Sequence, residues 1–385
     1  MQRSKTPEPA ACLGCGVCLQ RCPVLDLDAL AARQAVRDLD AGLASPVLHD
    51  CIACRACSLV CPQGRDPSER IIGRWQQLIL ERGLPARAGL FMVSRFPNFR
   101  SRLLPALPAD ERRLVATWSR PPSEGAREIL YPGCNWLTSP YLAASSLLDG
   151  LPIHGALELC CGATLSRSGL KGDASRQARR VHMHLASLEI TRLWVPCAAC
   201  LHALCTELPD KLPFPVEHLS TRLLDQIDAG RIRTRNLGME VALQISCNDH
   251  LLGPAHMERV RELLARLGLR VREIQEPCCG IGAGFSPLSG YHPIDILRTS
   301  LRTLRQARQT GADALVVLCA GCLQTLSVAS LLMPSSPELY HLFELVQLAA
   351  GERPLRRHIG RARLWWCCIA PHLLRPGRIF PEGGP

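Results

Sequence analysis

The sequence contains few aromatic side chains, very little lysine and no long uninterrupted apolar run. Aromatic residues make up 4% of its 385 residues, and a long apolar stretch, residues 312–326, is interrupted by Asp313, Gly321 and Gln324. A membrane-spanning helix needs roughly 20 predominantly apolar residues. The first residues also lack the charged segment followed by an apolar segment that defines a secretory signal. We therefore expect a cytoplasmic protein, which could still lie peripherally at the inner face of the cytoplasmic membrane.

The positive charge of the chain is not concentrated in one place. The formal net charge is +11, but almost all of the 45 basic residues are arginines scattered along the chain. Proteins that bind nucleic acid usually gather basic residues on one element or face. With 47% hydrophobic and 21% charged residues, the composition is that of a globular protein of two or three domains. We predict that nucleic acid is not a partner.

Cysteine is abundant, with 21 residues in a chain too long to be a small disulfide scaffold. Eight of these cysteines form two runs with the spacing Cys-x2-Cys-x2-Cys-x3-Cys-Pro, which is the run of bacterial two-cluster ferredoxins. Zinc ribbons use separated Cys-x2-Cys pairs instead. We predict a ferredoxin-type module with two 4Fe-4S cubanes. The first run contains Cys12, Cys15, Cys18 and Cys22, and the second contains Cys51, Cys54, Cys57 and Cys61.

The fourth ligand of each cubane is expected to come from the other run. Three closely spaced cysteines can bind three irons from one loop, but the fourth corner of the cube points away from that loop. In proteins with this pattern the fourth cysteine crosses over to the neighbouring cluster. Such sharing would hold the two cubanes side by side as a path for single electrons. The predicted ligands are Cys12, Cys15, Cys18 and Cys61 for the first cubane, and Cys51, Cys54, Cys57 and Cys22 for the second.

A second cysteine pattern occupies residues 127–350 and occurs twice. In each copy an apolar strand ends at one cysteine, Cys-Cys-Gly follows, and a Cys-x2-Cys pair then lies between a strand and a helix-like segment. A strand-to-helix turn suits thiolates, because a helix N-terminus favours negative groups. The first copy contains Cys134, Cys160, Cys161, Cys197 and Cys200, and the second contains Cys247, Cys278, Cys279, Cys319 and Cys322.

These patterns predict a mixed fold of the α+β or α/β class, with a small helical two-cubane module followed by two pseudo-symmetric α/β lobes. Within the module we predict helices over residues 26–42 and 68–82. A proline-rich segment without cysteine separates the module from the lobes. The predicted parts are a ferredoxin-type domain at 1–83, a connector at 84–126, lobes at 127–235 and 236–352, and an Arg/Pro-rich tail at 353–385.

The repeated motifs resemble the cysteine-rich CCG domains of the heterodisulfide reductase B subunit. With the N-terminal module added, the whole chain resembles a fusion of the C and B subunits, as in the D subunit of the membrane-bound form. The iron–sulfur subunits of glycolate oxidase, anaerobic glycerol-3-phosphate dehydrogenase and lactate-utilisation systems share this architecture. The resemblance implies that each five-cysteine set binds a noncubane 4Fe-4S cluster, and that the two clusters face each other across a disulfide-binding site.

The resemblance also implies roles for single residues. Cys161 and Cys279 would be cluster ligands at the site of disulfide cleavage, because adjacent cysteines can supply a terminal and a bridging thiolate. Gly162 and Gly280 would let the backbone approach the cluster. In this chain Cys247 is followed by Asn-Asp-His, where relatives often have histidine directly after the cysteine, which leaves the role of His250 open.

Two functions follow from the resemblance, and a scaffold or assembly protein is a third class. In the first, electrons from a flavoprotein or other donor subunit pass through the two cubanes to the CCG clusters and reduce a heterodisulfide. Because quinone-linked relatives commonly lack cysteines in one motif, the complete sets favour this reaction. In the second, the chain is the electron-transfer subunit of a flavin-dependent glycolate, lactate or glycerol-3-phosphate dehydrogenase that feeds quinone through a membrane subunit.

The remaining candidate residues are given structural roles. The glycines at 280, 282 and 284 belong to the second Cys-Cys-Gly motif, so we predict no flavin or nicotinamide site in this chain. Cys205 is expected to be a core thiol, and Cys367 and Cys368 to be structural or interface residues. Nearby histidines are expected to be ordinary polar residues: His154, His182, His184, His202 and His292.

Overall fold

Helices and two small parallel sheets make up the fold. The computed structural model describes residues 12–93, 97–207, 210–274, 278–285, 293–373 and 378–379. A helical N-terminal module precedes two lobes, each built around a parallel sheet. The predicted fold class is confirmed. Among the residues in these ranges, no helix combines the length and the apolar character needed to cross a membrane.

The N-terminal module is helical and packs around one tryptophan. The predicted helix at 68–82 has the predicted bounds, whereas the one predicted at 26–42 is shorter because Asp28 caps it, accepting from the N–H of Ala31 at 2.8 Å. Trp75 is fully buried, and its indole N–H donates to the carbonyl of Leu48 at 3.0 Å. The helices are α1 (Val17–Gln20), α2 (Ala29–Asp40), α3 (Val47–Asp50), α4 (Ala56–Leu59) and α5 (Ser68–Arg82).

The connector contains short helices and one short strand. Asn98 caps its second helix, accepting from the N–H groups of Arg100 and Ser101. The proline-rich sequence keeps these helices short, because proline cannot continue a helix that needs its N–H. The elements are β1 (Leu84–Pro85), α6 (Ala86–Gly89), α7 (Phe99–Leu103) and α8 (Ala109–Trp118).

The first lobe is a three-stranded parallel sheet covered by helices. Its strand order is β2-β3-β4, and each strand runs into a helix, as right-handed β-α-β units require. The strands and helices, in chain order, are β2 (Glu128–Leu130), α9 (Gly133–Leu137), α10 (Ala163–Arg167), α11 (Lys171–Ala186), β3 (Arg192–Val195), α12 (Ala198–Thr206), β4 (Val216–His218) and α13 (Leu219–Asp228).

The second lobe repeats this arrangement with one more strand. Its strand order is β6-β5-β7-β8, all parallel. The two central strands, β5 and β7, are mostly apolar because both faces of the sheet are covered. The strands and helices, in chain order, are β5 (Glu240–Gln244), α14 (Pro254–Arg266), β6 (Arg270–Glu273), α15 (Pro293–Gln309), β7 (Ala314–Val317), α16 (Ala320–Ser330), β8 (Glu338–His341) and α17 (Leu342–Ala349).

The two lobes are related by pseudo-symmetry down to the edge strand. Where the second lobe has β6 beside β5, the first lobe has a single parallel bridge between Leu130 and Ile153. The largest apolar core includes residues of both lobes, such as Trp136 of the first and Phe343 of the second, whose rings lie 5.6 Å apart. The lobes therefore pack against each other through a shared apolar core.

The segment predicted as a tail contains α18 (His358–Leu373) and β9 (Arg378–Ile379). Strand β9 pairs with β1 in antiparallel fashion, and α18 packs on α7 and α16. Glu111 of α8 is 2% exposed and accepts from the guanidinium of Arg361, which is 3% exposed. A buried ion pair thus ties the C-terminal helix to the connector.

Candidate metal centres

The N-terminal module brings one cysteine of its second run to three cysteines of its first run. Cys12, Cys15, Cys18 and Cys61 line one cavity of about 400 Å³. Burial raises the pKa of Cys18, and the nearby thiolates of Cys15 and Cys61 raise it further. This grouping is the one that the predicted first cubane requires. The assignment of these cysteines as ligands stays a prediction, which the grouping supports.

The second proposed cubane site lies deeper in the molecule. Burial raises the pKa of Cys51 to about 12 and that of Cys54 to about 11, and the thiolate of Cys22 adds to both shifts. Burial likewise raises the pKa of Cys57, to which Cys51 and Cys54 also contribute. Cys22 of the first run therefore lies beside the cysteines of the second run.

The five cysteines of the first lobe are all buried. Cys197 is the N-cap residue of α12, directly after β3, and Cys200 lies in the first turn of that helix. The sulfur atoms form a chain of hydrogen-bond contacts, from Cys134 to Cys160, Cys161, Cys200 and Cys197 in turn. The strand–turn–helix position that the sequence pattern predicts for the Cys-x2-Cys pair is the one observed.

The second lobe places its set in the equivalent position. Cys319 is the N-cap residue of α16, directly after β7. Cys322 contacts both Cys319 and Cys279 through its sulfur atom. Cys278 accepts from the N–H of Gly280 at 3.3 Å, and Cys247 lies within electrostatic reach of Cys278. The five cysteines of this set are therefore gathered as well.

The cysteine sets follow one another through the molecule. The Cys197 thiol of the first lobe is in hydrogen-bond contact with Cys319 of the second lobe and lowers the pKa of Cys319. On the other side of the second lobe, Cys54 of the N-terminal module lines a cavity of about 300 Å³ together with Cys247 and Cys278. The order in space is therefore first cubane site, second cubane site, second CCG set, first CCG set.

The donor sets fit iron–sulfur clusters. Soft thiolates are the ligands that such clusters use. In the described ranges, no group of three or more His, Cys, Asp or Glu side chains is arranged to hold a single metal ion. An iron–sulfur cluster needs no such arrangement, because its thiolate ligands are distributed over several irons. Burial also raises the pKa of most of these thiols, and bound iron would supply the positive charge that stabilises thiolates there.

Buried arginines reach two of the sets. Arg100 of α7 is 5% exposed and donates to the Asn135 side chain at 2.9 Å. The hydrogen bond that Cys134 donates to Cys160, together with burial, raises the pKa of Cys134, and the Arg100 guanidinium partly offsets this rise. Arg167 is 6% exposed and forms a side-chain hydrogen bond with Cys247. The sequence pattern does not reveal either residue, because both lie outside the cysteine motifs.

Two buried histidines near Cys319 also escape the sequence pattern. His218 and His341 are the N-cap residues of α13 and α17, at matching places in the two lobes. In the sequence, these histidines could be found only by their spacing: His218 lies 21 residues after Cys197, and His341 lies 22 residues after Cys319. Burial lowers the pKa of both histidines, whereas the Cys319 thiolate raises it.

Some of the residues predicted to have structural roles lie where the prediction puts them, and others do not. Cys205 is exposed, so its predicted core position is wrong: it lies on the outer face of α12. Cys368 packs beside a small apolar cluster, while Cys367 is exposed. His154 and His184 face each other with Nε2 atoms 2.8 Å apart. His250 lines the cavity shared by Cys54, Cys247 and Cys278, and His292 lies outside the described residues.

The glycines of the Cys-Cys-Gly motifs contact helices. Gly162 and Gly280 have φ of +80° and +83°, a region that L side chains rarely adopt. A Cβ at Gly280 would lie 2.6 Å from the carbonyl oxygen of Ile296 in α15, and one at Gly162 would lie 3.4 Å from that of Ala174 in α11. The close approach seen in the structure is therefore to the following helix.

Comparison with family models identifies the domains. The model of the 4Fe-4S dicluster domain matches residues 8–65, and the model of the cysteine-rich CCG domain matches twice, over residues 131–205 and 241–327. The dicluster match contains the eight cysteines of both cubane sites, and each CCG match contains one five-cysteine set. A search of curated proteins finds no match.

Proposed function

Because the chain is an iron–sulfur electron-transfer protein with a 4Fe-4S dicluster domain and cysteine-rich CCG domains, we propose that it is a disulfide-reducing subunit of the heterodisulfide reductase type. Two electrons and two protons convert one disulfide into two thiols. The observation that carries the proposal is the junction of the lobes, where Cys197 and Cys319 of two complete five-cysteine sets are in contact. Two one-electron centres side by side suit a two-electron reaction, because each can supply one electron and hold one sulfur of the cleaved bond.

The chain's cysteines would hold four clusters, which when bound store and transfer single electrons. Each lobe would hold one noncubane cluster, and the N-terminal module would hold two cubanes with crossed fourth ligands. The proposed CCG ligands are Cys134, Cys160, Cys161, Cys197 and Cys200 in the first lobe, and Cys247, Cys278, Cys279, Cys319 and Cys322 in the second.

Electrons are proposed to enter at the first cubane site. Cys12 is exposed, and its neighbour Leu13 is 67% exposed. A donor subunit of the flavoprotein class, docked over this surface, would bring its own redox group close to the site. The CCG sets at the other end are buried or partly buried, which suits a small-molecule substrate.

The two protons of the reaction are proposed to come from water, with His218 and His341 as hydrogen-bond donors beside Cys319. Nδ1 of His218 accepts from the N–H of Ser220 at 3.3 Å, and Nδ1 of His341 accepts from the N–H of Phe343 at 3.2 Å. The neutral ring must then hold its proton on Nε2. Burial lowers the pKa of His218 to about 4, so near neutral pH the uncharged ring would donate a hydrogen bond through Nε2 without releasing its proton.

Anaerobic turnover tests the proposal. The full chain, loaded with iron and sulfide, is supplied with a low-potential donor and a panel of low-molecular-weight disulfides. Replacing Cys161 or Cys279 with alanine should abolish disulfide reduction while both cubanes remain reducible. The double variant should be no worse than either single one, because residues that act as a unit are not additive. Cys205→Ala is the matched control, and it should keep full activity.

A quinone analogue is offered in parallel. Quinone reduction without any disulfide reduction would reject the proposal and favour an electron-transfer subunit of a flavin-dependent 2-hydroxy-acid or glycerol-3-phosphate dehydrogenase. Turnover of neither substrate, with all clusters present, would favour a non-catalytic role.

A further inference from the structure

Arg167 connects three parts of the molecule. It is the last residue of α10, the short helix that follows the Cys-Cys-Gly motif of the first lobe. Its side chain leaves that lobe and is 6% exposed. The guanidinium donates to the carbonyl oxygen of Ala53 in the N-terminal module, and it also forms a hydrogen bond with the sulfur atom of Cys247 in the second lobe.

The same guanidinium faces two proposed cluster sites. It interacts electrostatically with Cys278 and Cys279 of the second CCG set and with Cys51 and Cys54 of the second cubane site. Ala53, whose carbonyl it binds, lies between those last two cysteines in the chain. A permanent positive charge therefore lies at the junction of the two sites.

The backbone at this junction is too close for an intervening side chain. A Cβ at Gly282 would lie 2.0 Å from the carbonyl oxygen of Ile52 and 3.3 Å from the Arg167 guanidinium. Cys54 and Cys247 line one cavity beside it. Close backbone packing and the guanidinium together hold the N-terminal module against the second lobe.

We propose that Arg167 is a positioning residue that raises the reduction potentials of the second cubane and of the second CCG cluster together. Because both potentials rise, the difference between them, which drives electron transfer from one cluster to the other, changes little. Each cluster gains one negative charge when it accepts one electron from the donor subunit. A buried cation stabilises that added charge, and burial strengthens the interaction because the local dielectric is low. The inference rests on the proposed cluster positions, but it is independent of which substrate is reduced.

Arg100 provides a matched control. It is equally buried, at 5% exposure, but its guanidinium binds Asn135 and interacts electrostatically with Cys134 and Cys160 of the first CCG set. Removing its charge should affect the first CCG cluster and leave the second cubane unchanged.

The test is a redox titration of the anaerobic full chain, followed by electron paramagnetic resonance. In Arg167→Gln, the ratio of reduced to oxidised second cubane and second CCG cluster at a fixed potential should fall at least about tenfold, which is about 59 mV for one electron. Arg167→Lys keeps the charge and should recover most of this shift. Arg100→Gln should move only the first CCG cluster, and the first cubane should not move in any variant.

Unchanged potentials in Arg167→Gln, or equal shifts of all clusters, would overturn the inference. If the wild-type chain reduces disulfides but the cluster potentials of Arg167→Gln equal those of the wild type, this inference is overturned and the proposed function stands. A wild-type chain with cubanes only would contradict both. Arg167→Gln could also assemble less iron than the wild type. Normal iron content in Arg167→Lys would then support the role of the charge, and reduced iron content in Arg167→Lys as well would overturn it.

Discussion

Replacing Cys61 with alanine should remove the cubane held by Cys12, Cys15 and Cys18, although Cys61 belongs to the other motif. The reason is the cavity of about 400 Å³ that these four cysteines line together, within residues 12–70 of the N-terminal module. Without the fourth thiolate, one corner of the cube would have no ligand. Cys22→Ala is the matched variant, because Cys22 lies beside Cys51 and Cys54 of the second site.

The size of the effect follows from the number of cysteine sets. Four clusters of four irons would give about sixteen irons, and a similar amount of sulfide, per chain. Either variant should therefore retain about twelve. Iron analysis alone cannot separate the two variants, but magnetic interaction can. Cys54 of the second cubane site shares a cavity with Cys247 and Cys278, so spin coupling between that cubane and the second CCG cluster should survive in Cys61→Ala and disappear in Cys22→Ala.

The assay is anaerobic iron and sulfide analysis combined with electron paramagnetic resonance of the reduced protein. Cys205→Ala, which changes an exposed cysteine outside the four sets, should keep the full iron content. Loss of the coupling in Cys61→Ala and its retention in Cys22→Ala would show that the crossover is wrong. Iron near eight in the unaltered chain would confine clusters to the N-terminal module. A zinc-dominated analysis would reject the iron–sulfur interpretation altogether.

Three further predictions concern stability. Glu111→Gln should lower the free energy of unfolding by about 3–5 kcal/mol, because it leaves the buried Arg361 charge unpaired. An unchanged thermal midpoint in calorimetry would contradict this prediction. Burial lowers the pKa of His218 from 6.5 to about 4 in the folded state, so the unfolded state takes up the proton first as the pH falls. The free energy of unfolding should therefore decrease between pH 6.5 and about 4, by up to about 3 kcal/mol. His218→Asn, which can still cap the helix, should flatten this part of the profile in denaturant titrations, and an unaltered profile would refute the assignment. Gly280→Ala should cost more stability than Gly162→Ala, because its Cβ would lie 2.6 Å from a helix carbonyl oxygen compared with 3.4 Å, and equal losses would contradict the packing argument.

The pseudo-symmetry of the lobes could be predicted from the sequence only in part. The order of the cysteines and the apolar strands before them predict two related lobes, and the strands found at Glu128–Leu130 and Glu240–Gln244 agree with this. The edge strand β6 of the second lobe, Arg270–Glu273, has no such signal in the sequence. Its side chains are exposed or half-buried, as expected at the edge of a sheet, so the strand carries no apolar run.

Errors about single residues came from local reasoning. Cys205 lies on an apolar helix, which suggested a core position, but the face of α12 that carries it points outward. Helix periodicity cannot show which face is buried when nearly every residue is apolar. Only the fold reveals that His154 and His184 form a pair, because the two histidines are 30 residues apart in the chain.

The sequence by itself determined the cysteine patterns of this protein and its fold class: two runs in ferredoxin spacing, two repeated five-cysteine sets, and a mixed helical and parallel-sheet fold. These properties depend on residues close together in the chain, and short spacings limit which geometries the ligands can adopt. Only the tertiary structure decided the order of the cysteine sets in space, the contact of Cys197 with Cys319, and the burial of Arg167 between the second cubane site and the second lobe. Those features arise where separate domains pack together, and such packing depends on contacts between residues more than 100 positions apart, as in the bond from Arg167 to Ala53.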